Sequence, residues 1–361
     1  MRRISSLSLL SLFLVTACDD KSSTGEEKSA SVTAKKADDA KADDAKADDA
    51  KADDAKADDA KGGDEDEAKK DEERKKKLDE AYAKLEEWKT KEAARWTDEV
   101  ETKVKELVET EFKDIDAALT AIIASPHRQP DNVARDEYRH PVETLKFFGI
   151  EPGMTVVEVG PGGGWYTEIL APLVAAKGKL VVNQGDPNAD KYAGGTIYAK
   201  RFQAFVESSE TAYGKIEAII QKDPDKLDLG EPESADMVLI IRGLHGRVNR
   251  DQLPMYLKAA HDVLKSGGTL GIVQHRAKDD ADPKESAEKG YLPEPWLISE
   301  IEKAGFELEE KSELNANPKD TKDYEEGVWT LPPTLTLGDK DKDKYVGIGE
   351  SDRMTLRFKK K

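Results

Sequence analysis

The residues best suited to chemistry stand in one short run, Glu158-Val159-Gly160-Pro161-Gly162-Gly163-Gly164-Trp165. Glycine has no Cβ, so such a run can turn sharply and bring backbone N–H groups against a ligand. Several kinds of nucleotide site use glycine-rich turns, and the details separate them. No Gly-Lys-Ser/Thr follows, which excludes a P-loop. A dinucleotide fingerprint starting at Gly160 needs Gly or Ala where Trp165 stands, so a nicotinamide-dependent oxidoreductase fits poorly. There is no Gly-x-Ser-x-Gly elbow, and no His/Cys/Asp set has metal-ligand spacing. Titratable side chains gather at two further points, Arg242 with His245 and His275 with Arg276.

Apolar segments place these groups. Residues 154–159, 179–183, 216–220, 236–241 and 269–274 read as short buried strands, and 306–310 and 354–358 as shorter, alternating ones. Helical patterns over 166–176, 199–212, 252–265 and 294–304 intervene. Strands alternating with helices predict an α/β domain, a parallel sheet with helices on both faces. The near-continuous apolar runs belong at its centre, and the alternating last pair at an antiparallel edge. Ligands in open parallel sheets bind outside the carboxyl ends of the strands. That rule brings the glycine run, Arg242, His245, His275 and Arg276 to one cleft.

With Pro152-Gly153-Met154 before it, VVEVGPGGGWYTEIL resembles the first βα unit of class I S-adenosylmethionine-dependent methyltransferases. Lys222-Asp223, the run from Ser234 to Leu239, Lys265-Ser266-Gly267-Gly268-Thr269-Leu270 and Ala304-Gly305-Phe306-Glu307-Leu308 resemble later units of that family, in order. Ser125-Pro126-His127-Arg128, the block from Arg135 to Pro141, His275-Arg276-Ala277 and Glu350-Ser351-Asp352-Arg353-Met354 resemble a narrower group of exported bacterial methyltransferases of unknown substrate. The resemblance implies a Rossmann-like seven-stranded sheet, S-adenosylmethionine as cofactor and an unidentified methyl acceptor. It assigns Gly160, Gly162 and Gly164 to the amino-acid part of the cofactor, Glu158 to the loop or the ammonium, and Asp223 to the adenine. The family expects an acid at the end of the second strand for the ribose; here Asn183 stands there, and Asp186 follows three residues on.

A sulfonium already activates its methyl group, so the protein need mainly align a nucleophile and take its proton. His245 or His275, titrating near neutrality, is expected to be that base, with Arg242 beside them. The alternative is that they cap strand ends, in a non-catalytic binding or scaffolding module that keeps the fold.

The first 18 residues, MRRISSLSLLSLFLVTAC, have a basic start and a short apolar run ending in small residues. They resemble a lipoprotein signal with Cys18, the only cysteine of the chain, as the acylated residue. The expected location is the cell envelope, with the protein bound to a membrane through Cys18. Residues 19–70 follow as an acidic tether with five Lys-Ala-Asp-Asp-Ala copies. Residues 71–124 carry apolar side chains at intervals of three or four and read as an amphipathic helical stalk, and 125–361 as the globular domain. The stalk's stripe is expected to pack on that domain, with a coiled coil as the alternative. The net charge of −18 argues against general nucleic-acid binding. Residues 314–351, rich in Asp, Lys and Pro, are expected to shape the acceptor site.

Overall fold

The computed structural model describes residues 64–193 and 195–361, so the leader, Cys18 and the acidic repeats lie outside the described residues. Seven strands form one sheet: β1 (Thr155–Val159), β2 (Lys179–Gly185), β3 (Glu217–Gln221), β4 (Ala235–Ile241), β5 (Leu264–His275), β6 (Phe306–Ser312) and β7 (Arg353–Lys360). Their order is β3-β2-β1-β4-β5-β7-β6. The first five are parallel, and β7 runs antiparallel to both its neighbours. This is the seven-stranded, Rossmann-like sheet expected from the sequence.

Successive residues of a strand face opposite sides, so β1 feeds two cores. Val156 packs with the helices preceding and following β1: α6 (Pro141–Phe148), α7 (Thr167–Val174), α8 (Thr196–Glu207) and α9 (Glu210–Tyr213). Val157 and Val159 pack on the other side, with α10 (Leu244–Asn249), α11 (Leu253–Val263) and α13 (Glu294–Lys303). The connection after β5 carries α12 (Pro283–Glu288), and α14 (Lys342–Ile348) precedes β7.

One expectation holds with a detail added, and one needs correction. The last pair of strands forms the expected antiparallel edge, with β7 inserted between β5 and β6 and β6 outermost. Alternating polarity marks a strand with one wet face, yet the polar Arg353 and Thr355 of β7 are buried and partnered. Arg353 Nη2 donates to the Tyr138 carbonyl at 2.7 Å, and Asn315 Nδ2 donates to Thr355 Oγ1 at 3.0 Å. The helix expected over 199–212 is two, because the Ser209 hydroxyl accepts from the Ala212 N–H and starts α9 afresh.

The stalk helices are α1 (Asp64–Arg95), α2 (Asp98–Glu109) and α3 (Ile115–Ile123). Thr97 and Asp114 cap the second and third, accepting from the N–H groups of Val100 and Ala117. Their stripe, with Leu85, Trp88, Val104, Leu107, Leu119 and Ile122 buried, belongs to the same core as Val156 and Leu239. Each such side chain contributes about 1.5–3 kcal/mol of burial. The short helices α4 (Pro130–Val133) and α5 (Asp136–Arg139) then lead into α6.

Candidate active site

In this strand order the chain direction across the sheet reverses between β1 and β4, the switch point at whose carboxyl side open parallel sheets bind ligands. The glycine run stands there. Gly160, Gly162 and Gly164 all have positive φ, at 65°, 59° and 91°, the region glycine enters without steric cost. The Gly160 N–H donates to the Asn183 carbonyl at 3.0 Å, tying the loop to the end of β2. A Cβ on Gly164 would lie 2.7 Å from the Phe205 ring, so α8 seals the loop from beneath. A Cβ on Gly160 would meet only Arg247 Nη2, at 4.0 Å.

Glu158 is buried, and Thr167 Oγ1 donates to its Oε2 at 2.6 Å. Burial pushes its carboxyl up to about 7, the one hydrogen bond pulling the other way. The folded protein therefore holds a proton that the unfolded chain releases near 4.5. Stability from this group is complete below pH 4.5 and is lost as pH rises through 7. Glu158→Gln removes that dependence. Between pH 5 and 8 the wild type should lose about 2–3 kcal/mol relative to the variant in urea denaturation, and parallel curves would refute the assignment.

Asn183 is buried, with its Nδ2 committed to the Asp228 carbonyl at 3.2 Å. Asp186 is half-buried, its Oδ1 accepting from the Asn188 N–H in a local turn. Asp223 is exposed and accepts from the Asp225 N–H at 3.0 Å. Of the assigned cofactor residues, then, the glycines and Glu158 share one place. Asn183 and Asp186 border it at the end of β2, and Asp223 stands beyond the end of β3.

At the ends of β4 and β5 the fold brings the two histidines together, ring centroids 6.0 Å apart. Arg242 makes the turn out of β4 at φ 59°, held by its N–H to the Val273 carbonyl. Burial pushes the Tyr166 hydroxyl up to about 12, with a hydrogen bond to Thr144 and the charges of Arg242 and Arg353 pulling the other way. His275 is buried, with Nδ1 2.5 Å from Ser351 Oγ. His245 is half-buried, and Trp329 stands edge-on to it at 5.9 Å.

Gln274 was not singled out from the sequence, although a polar residue closing an apolar strand was the available signal. Its Oε1 accepts from the Leu244 N–H and its Nε2 donates to the Gly290 carbonyl, both at 3.1 Å. Those backbone partners fix the amide, so its second N–H faces His245 Nδ1 at 3.3 Å.

The charged block before the domain is ion-paired. Arg128 binds Asp136 and Glu168, while Arg135, Arg139 and Arg353 converge on Glu350. Arg276 binds Asp352, Glu294 and Glu313. Trp165 is buried as a wall, its indole N–H donating to the Asn132 carbonyl at 3.0 Å.

No protein-family model matches the sequence, and no curated protein matches it. Among solved structures the chain is similar to an S-adenosylmethionine-dependent methyltransferase from Aquifex aeolicus, at 19% identity and TM-score 0.42, over 64% of this chain and 93% of that one. It is similar to a geranyl diphosphate methyltransferase in complex with S-adenosylmethionine, at 11% identity and TM-score 0.43, over 68% and 90%. It is also similar to the cyclase SpnF, at 14% identity and TM-score 0.42, over 62% and 80%.

Proposed function

We propose that this protein binds S-adenosylmethionine and transfers its methyl group to an acceptor, at the cell envelope, held there through acylated Cys18. The observation that carries the reading is the loop of three positive-φ glycines beside buried Glu158, at the switch point between β1 and β4. The cofactor would supply an electrophilic methyl on a sulfonium. The loop's N–H groups and Glu158 would hold its amino-acid end, and Asn183 Oδ1 can accept from a ribose hydroxyl.

The two histidines then divide the work. Gln274 offers an N–H to His245 Nδ1, which places the His245 proton on Nε2 and makes that nitrogen a donor that orients the acceptor. The base is His275. Ser351 Oγ can accept the proton on its Nδ1, which leaves Nε2 as the basic nitrogen.

A second reading, a binding module without catalysis, draws support from Asn183 and Asp223, whose polar groups already bond within the chain. Isothermal titration of the purified full chain with S-adenosylmethionine, its demethylated product and reduced nicotinamide separates these readings. Heat with the first two only is the expected result; a chain indifferent to both ends the proposal. In the same preparation wild-type protein should enter the detergent phase and the Cys18→Ala variant should not.

A further inference from the structure

The connection from β2 to α8 carries Asp186 and is held from outside the sheet domain. Arg74 Nη1 donates to the Tyr192 carbonyl at 2.6 Å, and Tyr82 Oη donates to the Lys191 carbonyl at 2.9 Å. Asp79 pairs with the Lys191 ammonium and accepts from Tyr192 Oη at 3.2 Å. The Lys191 ammonium also stands over the Tyr82 ring, 5.2 Å from its centroid. Arg74, Asp79 and Tyr82 all belong to α1, and the three-to-four spacing from Asp79 to Tyr82 continues to Leu85 and Trp88, both buried in the main core. One side of this helix thus anchors its later turns in the core and grips residues 191–192 with its earlier turns.

We infer that α1 is a strap that holds the β2–α8 connection in the conformation that receives the cofactor ribose, with Arg74, Asp79 and Tyr82 as positioning residues. This rests on the methyltransferase reading. The connection has turns of its own: Asp186 accepts from the Asn188 N–H and Asp190 from the Tyr192 N–H, both at 2.8 Å. Residues 188–191 are nevertheless exposed, so the tertiary hold on the Lys191 and Tyr192 carbonyls comes from α1. A site that is competent only part of the time binds more weakly in proportion.

The test compares the full chain with the triple variant Arg74→Ala, Asp79→Ala, Tyr82→Phe. Amide exchange over 186–193 without cofactor should quicken. The affinity for S-adenosylmethionine should fall about tenfold, as for a connection ordered a tenth of the time. The melting temperature should hold, because Leu85 and Trp88 remain buried. A charge exchange adds a readout that lost packing would not move: Asp79→Lys and Lys191→Asp each weaken binding, and the pair together restores it. Unchanged exchange over 186–193, or faster exchange with unchanged affinity, overturns the strap. Wild-type protein that ignores S-adenosylmethionine sinks the proposed function and this role with it, while the exchange data report separately whether α1 holds the connection.

Discussion

Replacing Glu168 by alanine is expected to cost about 3–5 kcal/mol of stability, because three buried donors lose their acceptor at about 1–3 kcal/mol each. The Glu168 side chain has no exposed surface and neither has that of Arg128, whose Nε donates to it at 3.2 Å. The same carboxylate accepts from the Gln129 N–H at 2.5 Å and from Asn132 Nδ2 at 3.1 Å. Its backbone carbonyl is bonded to His127 Nε2 at 2.8 Å. This single residue, in the first turn of α7, stitches the segment from His127 to Asn132 onto the helix that follows the glycine loop. With alanine there, Arg128 keeps only Asp136, and two further buried donors lose their acceptor. Urea denaturation at neutral pH reads the loss. A cost below about 1 kcal/mol, the range of an exposed pair, would show that the cluster is solvated after all.

The second large effect falls on the loop itself. Gly164→Ala combines two penalties: an alanine Cβ 2.7 Å from the Phe205 ring, and a φ of 91° that L-residues rarely adopt. Overpacking costs about 1–3 kcal/mol and the backbone about 1–2 more, for a total of about 2–5 kcal/mol. Because the loop cannot shift without losing its shape, S-adenosylmethionine binding should weaken at least about tenfold. Phe205→Leu in the same chain removes the clashing ring atoms and should return part of the stability but none of the φ strain. A double-mutant cycle measures this, and strictly additive costs would mean that Phe205 is not what the new methyl group meets. Gly160→Ala is the control, since its Cβ would meet nothing closer than 4.0 Å and only the backbone penalty applies.

Much of this site is legible in the chain before any folding is considered. The apolar run ending in Glu158-Val159-Gly160 announces a buried strand that stops at a turn, and the observed β1 ends at Val159. The cap at Thr97, whose hydroxyl accepts from the Val100 N–H, is equally local. Such features are local, governed by dihedral preference and by partners a few residues away.

Other features were not legible, because their partners are remote. Nothing near Arg135 and Arg139 in the chain names their partner, because Glu350, 215 and 211 residues away, is what draws them into a buried cluster. The place of β7 depends on β5 already offering an open edge, which no pattern within residues 353–360 reports. The hydrogen-bond partner of His245 is Gln274, whose amide orientation depends on backbone groups of Leu244 and Gly290.

The amino-acid sequence by itself determined the strands, the glycine turn and the two faces of the sheet, since periodicity and backbone freedom act over one or two turns of chain. Tertiary structure alone decided the order of the last strands, the contact of Gln274 with His245, the upward push of burial on the Glu158 carboxyl and the grip of α1 on the β2–α8 connection. Those properties arise from desolvation and from hydrogen bonds between residues far apart in the chain, and neither exists until the sheet has closed.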